Sequence, residues 1–298
     1  MTTVIIPAHN ESRVIGRLLR QLVPSDPGFG PDIIVVANGC TDDTAEVAAS
    51  FGAKVRVISI SVASKYQALA AGDLAAVDLP YIYVDADVEL GTQDVAALTA
   101  ALEQPGILAA APERVLDLAG SAWPVRWYYD VWARLPEVRR GLFGRGVVAL
   151  GARGRERVAG LPPLLADDLA ASLSFAPGER AVVPGARVVV HMPRTVVDLL
   201  RRRVRAVTGV AQIQRAERAP AAAARTRVAD LVAIACSGPH MVPRVALFLS
   251  VTVIAQLRAR RAVTRDDYTA WPRDESSRGD GACAPVRTPS PGLTRPGP

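Results

Sequence analysis

The chain has 298 residues and a mass of 31.5 kDa, room for one large domain or one domain with appendages. Half of its residues are hydrophobic and 21% are charged, which provides for a sizeable core and excludes wholesale disorder. The formal charge of +6 is uneven: residues 196–261 carry 12 Lys and Arg against 3 Asp and Glu, while residues 1–195 are slightly acidic. The excess therefore calls for a local anionic partner and not for nucleic-acid binding by the whole chain.

Residues 3–7, TVIIP, read as a short buried strand, and VIGRLLRQLV after it has apolar positions at helical spacing (Val14, Ile15, Leu18, Leu19, Leu22). DIIVVANG (32–39) predicts a second strand and TDDTAEVAASFG (41–52) a helix with Thr41 or Asp42 as its cap and Gly52 as its stop. VRVISI (55–60), SKYQALAAGDLAAV (64–77), YIYVDADVEL (81–90) and TQDVAALTAALEQ (92–104) continue the alternation of strand and helix. Four such alternations imply right-handed crossovers and an α/β fold on a Rossmann-like, mainly parallel sheet. Ligands of such sheets bind at the carboxyl ends of the strands. His9–Glu11, Asn38 and the Asp85/Asp87 pair all fall at such ends.

From 105 to 195 the pattern is less regular. An aromatic cluster, WPVRWYYDVW (123–132), precedes a glycine-rich stretch (141–162), then LLADDLAASLSF (164–175) and a last strand, RVVVHMP (187–193). Beyond it, residues 198–218 predict a basic helix that interleaves Arg201, Arg202, Arg203 and Arg205 with apolar residues. Two apolar stretches follow, 228–235 and 245–257, and neither reaches the roughly 20 residues that span a bilayer. A basic amphipathic helix followed by short apolar stretches suits an anionic membrane surface; a helical lid or a dimer surface is the alternative. The tail from 262 is rich in Pro, Gly, Ser and Arg and is expected to be disordered. Cys40, Cys236 and Cys283 lie too far apart for a disulfide framework or a metal cage, which points to a reducing, cytoplasmic compartment. Residues 1–10 lack the basic segment of a cleaved signal peptide.

Two carboxylates as close as Asp85 and Asp87 repel each other unless a cation lies nearby. Hard divalent ions such as Mg²⁺ or Mn²⁺ take oxygen ligands of this kind, often together with a substrate's phosphates. Alone, the D-x-D pattern is equally consistent with a solvated strand end.

Five ordered segments resemble the family 2 glycosyltransferases, inverting enzymes with the GT-A fold that use nucleotide-sugar donors. VIIPAHNES (4–12) is similar to the family's opening strand and donor loop, and VVANGCTDDT (35–44) to its second strand and turn. KYQALAAG (65–72) resembles the lysine-led helix, YVDADVEL (83–90) the D-x-D strand, and ADD (166–168) the acidic pair that carries the base. The resemblance covers residues 1 to about 195. It implies that Pro7, Ala8 and Asn10 line the base of the donor, that Glu11 accepts from ribose hydroxyls, and that Asp85 belongs to the donor site. Glu11 as an acid at a helix N-terminus is the plain alternative. Asn38 stands where the family usually has Asp. It either contacts the base or simply forms the turn before Gly39, and it leaves a UDP-, dTDP- or GDP-linked donor open. Lys65 either offsets pyrophosphate charge or is a surface lysine.

The resemblance further implies Asp168, beside Asp167, as general base for the acceptor hydroxyl, with an N-cap pair for the following helix as the alternative, and a Mg²⁺ or Mn²⁺ site of Asp87 and Asp85, with His191 as a late third ligand or else a plain loop histidine. The acceptor, lipid-linked or not, is expected to belong to polysaccharide or glycolipid synthesis, with a small molecule as the alternative. The expected organisation is a catalytic domain over 1–195, basic and apolar helices over 196–261, and a tail over 262–298, with the chain peripheral at the inner face of the cell membrane. A non-catalytic nucleotide-sugar binder and a haloacid-dehalogenase-like phosphatase using DADVEL are the competing functions. The phosphatase motif normally follows the first strand, and here it follows the third helix.

Overall fold

The computed structural model describes residues 2–24, 30–161, 167–215 and 226–264. The first apolar runs form β1 (Thr3–Ala8), β2 (Asp32–Asn38) and β3 (Val55–Ile60), all parallel. Between and after them come α1 (Ile15–Leu22), α2 (Thr44–Ala49) and α3 (Lys65–Ala75). α1 buries Ile15, Leu18, Leu19 and Leu22, one stripe at helical period, and that stripe seats it on the sheet. Its first free N–H groups, those of Val14 and Ile15, donate to the carbonyl of Glu11.

The segment read as one strand over 81–90 is two. β4 (Tyr81–Val84) lies parallel to β1, and β5 (Val88–Leu90) runs antiparallel to a late strand at the far edge. The break falls on the D-x-D acids. β4 ends where the Asp85 N–H donates to the carbonyl of Gly146 at 2.8 Å, and the chain then turns toward a new partner. Residues 84, 86, 88 and 90 are buried while 85, 87 and 89 are partly exposed, so the burial alternation of a strand persists across the turn.

The rest of the chain supplies α4 (Thr92–Leu102), β6 (Ala109–Asp117), α5 (Trp123–Arg134), α6 (Pro136–Arg140), β7 (Val147–Leu150), α7 (Ala152–Ala159), α8 (Asp167–Leu173) and β8 (Arg180–His191). The sheet order is β3-β2-β1-β4-β7-β6-β8-β5. β7 is antiparallel to both β4 and β6, which places its leading glycine-rich loop beside the carboxyl end of β4.

Three further helices, α9 (Val196–Arg215), α10 (Val228–Cys236) and α11 (Met241–Thr264), close the described chain. Their Leu199, Leu231, Met241, Val245 and Phe248 belong to the same core cluster as the sheet. Phe248 stacks on the fully buried Tyr128 of α5 with ring centroids 4.9 Å apart. Two expectations change here. The stretch 245–257 is part of one continuous 24-residue helix, because Pro243 sits in its first turn, where a missing N–H breaks no bond. The arginines of α9 are largely engaged by the protein: Arg201 pairs with Asp198, Arg202 donates to the His191 carbonyl, and Arg203 lies over the Tyr128 ring. The tail expected to be disordered lies, from residue 265 on, outside the described residues.

Candidate functional site

The carboxyl ends of β1 and β2 meet in a clasp. Asn38, 3% exposed, donates its amide N–H to the carbonyl of Ala8 at 2.8 Å, and His9 Nδ1 lies 2.5 Å from the carbonyl oxygen of Asn38. Asn10 adopts φ 52°, a left-handed conformation that Asn tolerates, and its side chain takes the Thr41 N–H at 2.7 Å while donating to Thr41 Oγ1. The Glu11 N–H donates to Thr44 Oγ1, and Ser12 and Thr44 both donate to Asp42. Burial works to raise the Asp42 carboxyl, but the hydrogen bonds from Thr44 and Ser12 outweigh it and hold it below the ordinary carboxylate range. The donor-loop residues are thus brought together. The amide N–H of Asn38 serves the turn between strands, and the Asn10 side chain ties the two loops to each other. Pro7 and Ala8 are buried under them.

Lys65 opens α3, whose N-cap Ser64 accepts from the Gln67 N–H. Its Nζ lies 2.7 Å from Asp85 Oδ1, both side chains being about a third exposed or slightly more, at 32% and 40%. The Arg17 guanidinium donates to the Asp87 carbonyl. Gly146, at φ 66°, backs this corner. A Cβ there would stand 2.6 Å from the Val88 side chain and 3.3 Å from Asp85 Oδ2, so only glycine lets β7 come this close to the acids. Among the described residues no three of His, Cys, Asp and Glu converge on one point suited to a metal ion. Asp85 and Asp87 therefore fit a hard divalent ion that draws further ligands from phosphate and water, and do not fit a cage made by protein alone.

The sequence allows His191 as either a third ligand or a plain loop histidine. The structure turns it elsewhere: Nε2 lies 2.8 Å from Glu89 Oε1 and Nδ1 lies 2.7 Å from Asp117 Oδ2, so both ring nitrogens are engaged by carboxylates. The β5–β8 pairing, Val88↔Val190 and Glu89↔Val189, brings Glu89 to the end of β8 where His191 stands. Glu89 also pairs with Arg17 and accepts from Gln21. Chiefly through His191, with partial burial opposing and Gln21 and Arg17 assisting, its carboxyl is held below the usual value.

Asp168 lies in the first turn of α8. Its Oδ2 accepts the Gly144 N–H at 2.7 Å and its Oδ1 the Leu169 N–H at 2.8 Å. Gly144 and Gly146 are near neighbours in one loop, and Gly146 abuts Asp85. By the reach of that short loop, the Asp168 and Asp85 carboxylates lie within about 16 Å of each other. The Asp167 side chain lies outside the described residues.

Several residues went unread in the sequence. Arg145, 3% exposed, donates to the carbonyls of Gly141, Pro112 and Arg139, and so fixes the loop whose Gly144 holds Asp168. Arg114 donates to the carbonyls of Val138 and Phe143 and lies over the Trp132 ring. Burial and the neighbouring Arg145 lower its affinity for its proton, Asp168 restores part of it, and it stays cationic at neutral pH. Backbone carbonyls are the partners of both arginines, and no sequence pattern marks a carbonyl. Arg157 is a bidentate strut to Glu179 at 2.6 and 3.1 Å.

Residues 3–148 match the model of the family described as Glycosyl transferase family 2. Over 53 residues the chain is 47% identical to a 4,4'-diaponeurosporenoate glycosyltransferase of Staphylococcus aureus (strain USA300), a stretch that is 18% of this chain and 14% of that protein. Similar folds occur in mannosyltransferase PcManGT from Pyrobaculum calidifontis, solved with GDP-Man and Mn²⁺ (TM-score 0.64, 21% identity, 89% of this chain and 87% of that one). Glucosyl-3-phosphoglycerate synthase from Mycobacterium tuberculosis, solved with Mn²⁺, UDP and glucosyl-3-phosphoglycerate, aligns with a TM-score of 0.53 and 22% identity over 72% of this chain and 79% of that one.

Proposed function

Residues 3–148 form a domain of glycosyl transferase family 2, and on that premise we propose that the protein moves a sugar from a nucleotide-diphosphate sugar to an acceptor hydroxyl, with inversion at the anomeric carbon. The observation that supports this reading is the Lys65–Asp85 pair at the end of β4, backed by Gly146 of the loop whose Gly144 N–H holds the Asp168 carboxylate. With no more than about 16 Å between them, the Asp85 and Asp168 carboxylates are both within reach of one extended nucleotide sugar.

The nucleotide lies over the clasp of the β1 and β2 loops, its ribose within reach of Glu11, and its diphosphate faces Lys65. Asp87, with Asp85, would hold Mg²⁺ or Mn²⁺ jointly with that diphosphate, and such an ion supplies charge neutralisation for the leaving group. The Lys65 ammonium adds to it on the protein's side and exchanges a carboxylate partner for a phosphate one. The two backbone N–H groups on Asp168 orient its carboxylate. From there it takes the proton of the acceptor hydroxyl as that oxygen attacks the face of the sugar opposite the diphosphate. The bound GDP-Man and UDP of the two structural relatives keep both purine and pyrimidine donors in view. A thermal-shift screen of UDP-, dTDP- and GDP-sugars with and without Mn²⁺ tests the reading. One donor should stabilise the protein in a metal-dependent way, and stabilisation by none of them would overturn it.

The chain also rests on a membrane surface in this reading. α11 buries Met241, Val245, Phe248, Val251, Ala255 and Ala259 on the protein, and its opposite stripe of Val242, Leu249, Val253 and Leu257 is exposed by 43–56%. The window Met241–Arg260 has mean hydropathy 1.4 and is 28% buried. A helix apolar on both flanks but packed on one suits lying in the bilayer interface. Val228 and Val232 of α10 extend the stripe, and Arg227, Arg258 and Arg260, all exposed, flank it with positive charge for anionic lipid.

A further inference from the structure

A cavity of about 490 Å³ opens between α6, the loop leading to β7, the end of α8 and the start of β8. That volume is typical of small-molecule sites, which run to roughly 300–1,000 Å³. The glycosyl-transfer chemistry described above does not use it, yet it adjoins the base. Ser172 in its wall is one helical turn, about 6 Å, beyond Asp168 on α8. Phe143, also in its wall, immediately precedes the Gly144 whose N–H holds the Asp168 carboxylate.

The lining is strongly one-signed. Arg139, Arg140 and Arg180 contribute three guanidinium groups, against one carboxylate from Glu137. Arg180 is positioned by hydrogen bonds to the Ser172 carbonyl and, at 3.3 Å, to its hydroxyl. Arg139 and Arg140 are exposed and form no ion pair among the described residues. Phe143, Leu173, Pro177 and Val182 give the floor an apolar part. Guanidinium groups around an otherwise apolar hollow are suited to a planar or tetrahedral oxyanion.

We propose that this cavity binds the anionic end of the acceptor, a phosphate or carboxylate group, and thereby presents the acceptor hydroxyl to Asp168. The proposal rests on the sugar-transfer reading for the word acceptor, but not for the binding itself. The anion is borne either by a soluble molecule or by a lipid.

The test titrates the full chain calorimetrically with glycerol 3-phosphate and with short-chain phosphatidic acid kept below its micellar concentration, with neutral glycerol and short-chain phosphatidylcholine as controls, so that membrane contact through α11 does not enter the readout. Three proteins are compared: the unaltered chain, Arg139→Gln/Arg140→Gln, and Lys65→Ala. The two arginines are exposed, so the double variant should keep its melting temperature. The expected result is binding of one phosphate form, soluble or lipid-borne, that weakens by about tenfold or more in the double variant and persists in Lys65→Ala. Equal affinity in the double variant, loss only in Lys65→Ala, or no binding of either form would overturn the proposal. GDP and UDP titrated with Mn²⁺ into the same preparations keep the two readings apart. Nucleotide binding that fails while the arginine-dependent phosphate site titrates as expected contradicts sugar transfer and leaves the cavity assignment standing.

Discussion

The ammonium of Lys65 and the Oδ1 of Asp85 stand 2.7 Å apart, so the first residue of α3 reaches the first acid after β4. The pair holds the acid at the strand end in check and keeps a cation at the place where a diphosphate would arrive. Lys65→Ala should weaken nucleotide-diphosphate binding by about tenfold or more while shifting the melting temperature little, since a pair this exposed is worth only about 0–1 kcal/mol to the fold. Calorimetric titration beside a thermal melt checks both halves.

Asp168→Asn should lower transfer, or donor hydrolysis where water serves as acceptor, by roughly 10²–10⁴-fold, the usual contribution of a positioned base. An asparagine keeps an oxygen for the Gly144 N–H, so donor affinity should stay within a few-fold. Loss of donor binding in this variant would mean that the carboxylate serves the donor and not the acceptor.

Glu89 links Arg17, Gln21 and His191, and its carboxyl titrates below its ordinary value mainly because of the His191 hydrogen bond. A carboxyl whose folded pKa is depressed stabilises the fold above its unfolded pKa of about 4.3 and loses that contribution as pH falls through the lower folded value. Glu89→Gln should therefore cost about 1–3 kcal/mol at pH 7 and progressively less below pH ~4. Denaturant melts of both proteins across that range measure it; a pH-independent difference would assign the effect to packing.

Charge placed on the outer stripe of α11 should separate membrane contact from folding. Leu249→Glu with Val253→Glu should leave the melting temperature within a few degrees and abolish flotation with phosphatidylglycerol vesicles, because the side chains are 43% and 50% exposed and face away from the core. Undiminished flotation would remove α11 from the membrane-facing surface.

The first half of this architecture was legible because its signals are local. Apolar runs such as DIIVVAN and the helical stripe of α1 announce their period, and turn residues such as Asn38 and Gly39 fall where parallel strands end. Lys65 and Asp85 fell into one site because the carboxyl ends of parallel strands share one edge. What escaped was set by pairing across distance. YIYVDADVEL keeps one alternation through its turn, so nothing in it tells that β5 leaves for β8 at the opposite edge of the sheet. His191 reads as a ligand or a loop histidine, and only the alignment of β6 with β8, which sets it against Asp117, reveals its partners. The α9 arginines read as a basic face for anionic lipid, although Arg203 lies over the buried Tyr128 ring and Arg202 donates to the carbonyl at the end of β8.

The central claim is that Asp87 and Lys65 receive the diphosphate of a nucleotide sugar together with a divalent ion. Calorimetric titration of GDP and UDP into the unaltered chain and Asp87→Ala, each with Mn²⁺ and with a chelator, tests it most directly. One nucleotide should bind the unaltered chain with Mn²⁺ about tenfold or more tightly than with chelator, and that difference should vanish in Asp87→Ala. Affinity that ignores both the ion and the substitution would contradict the account.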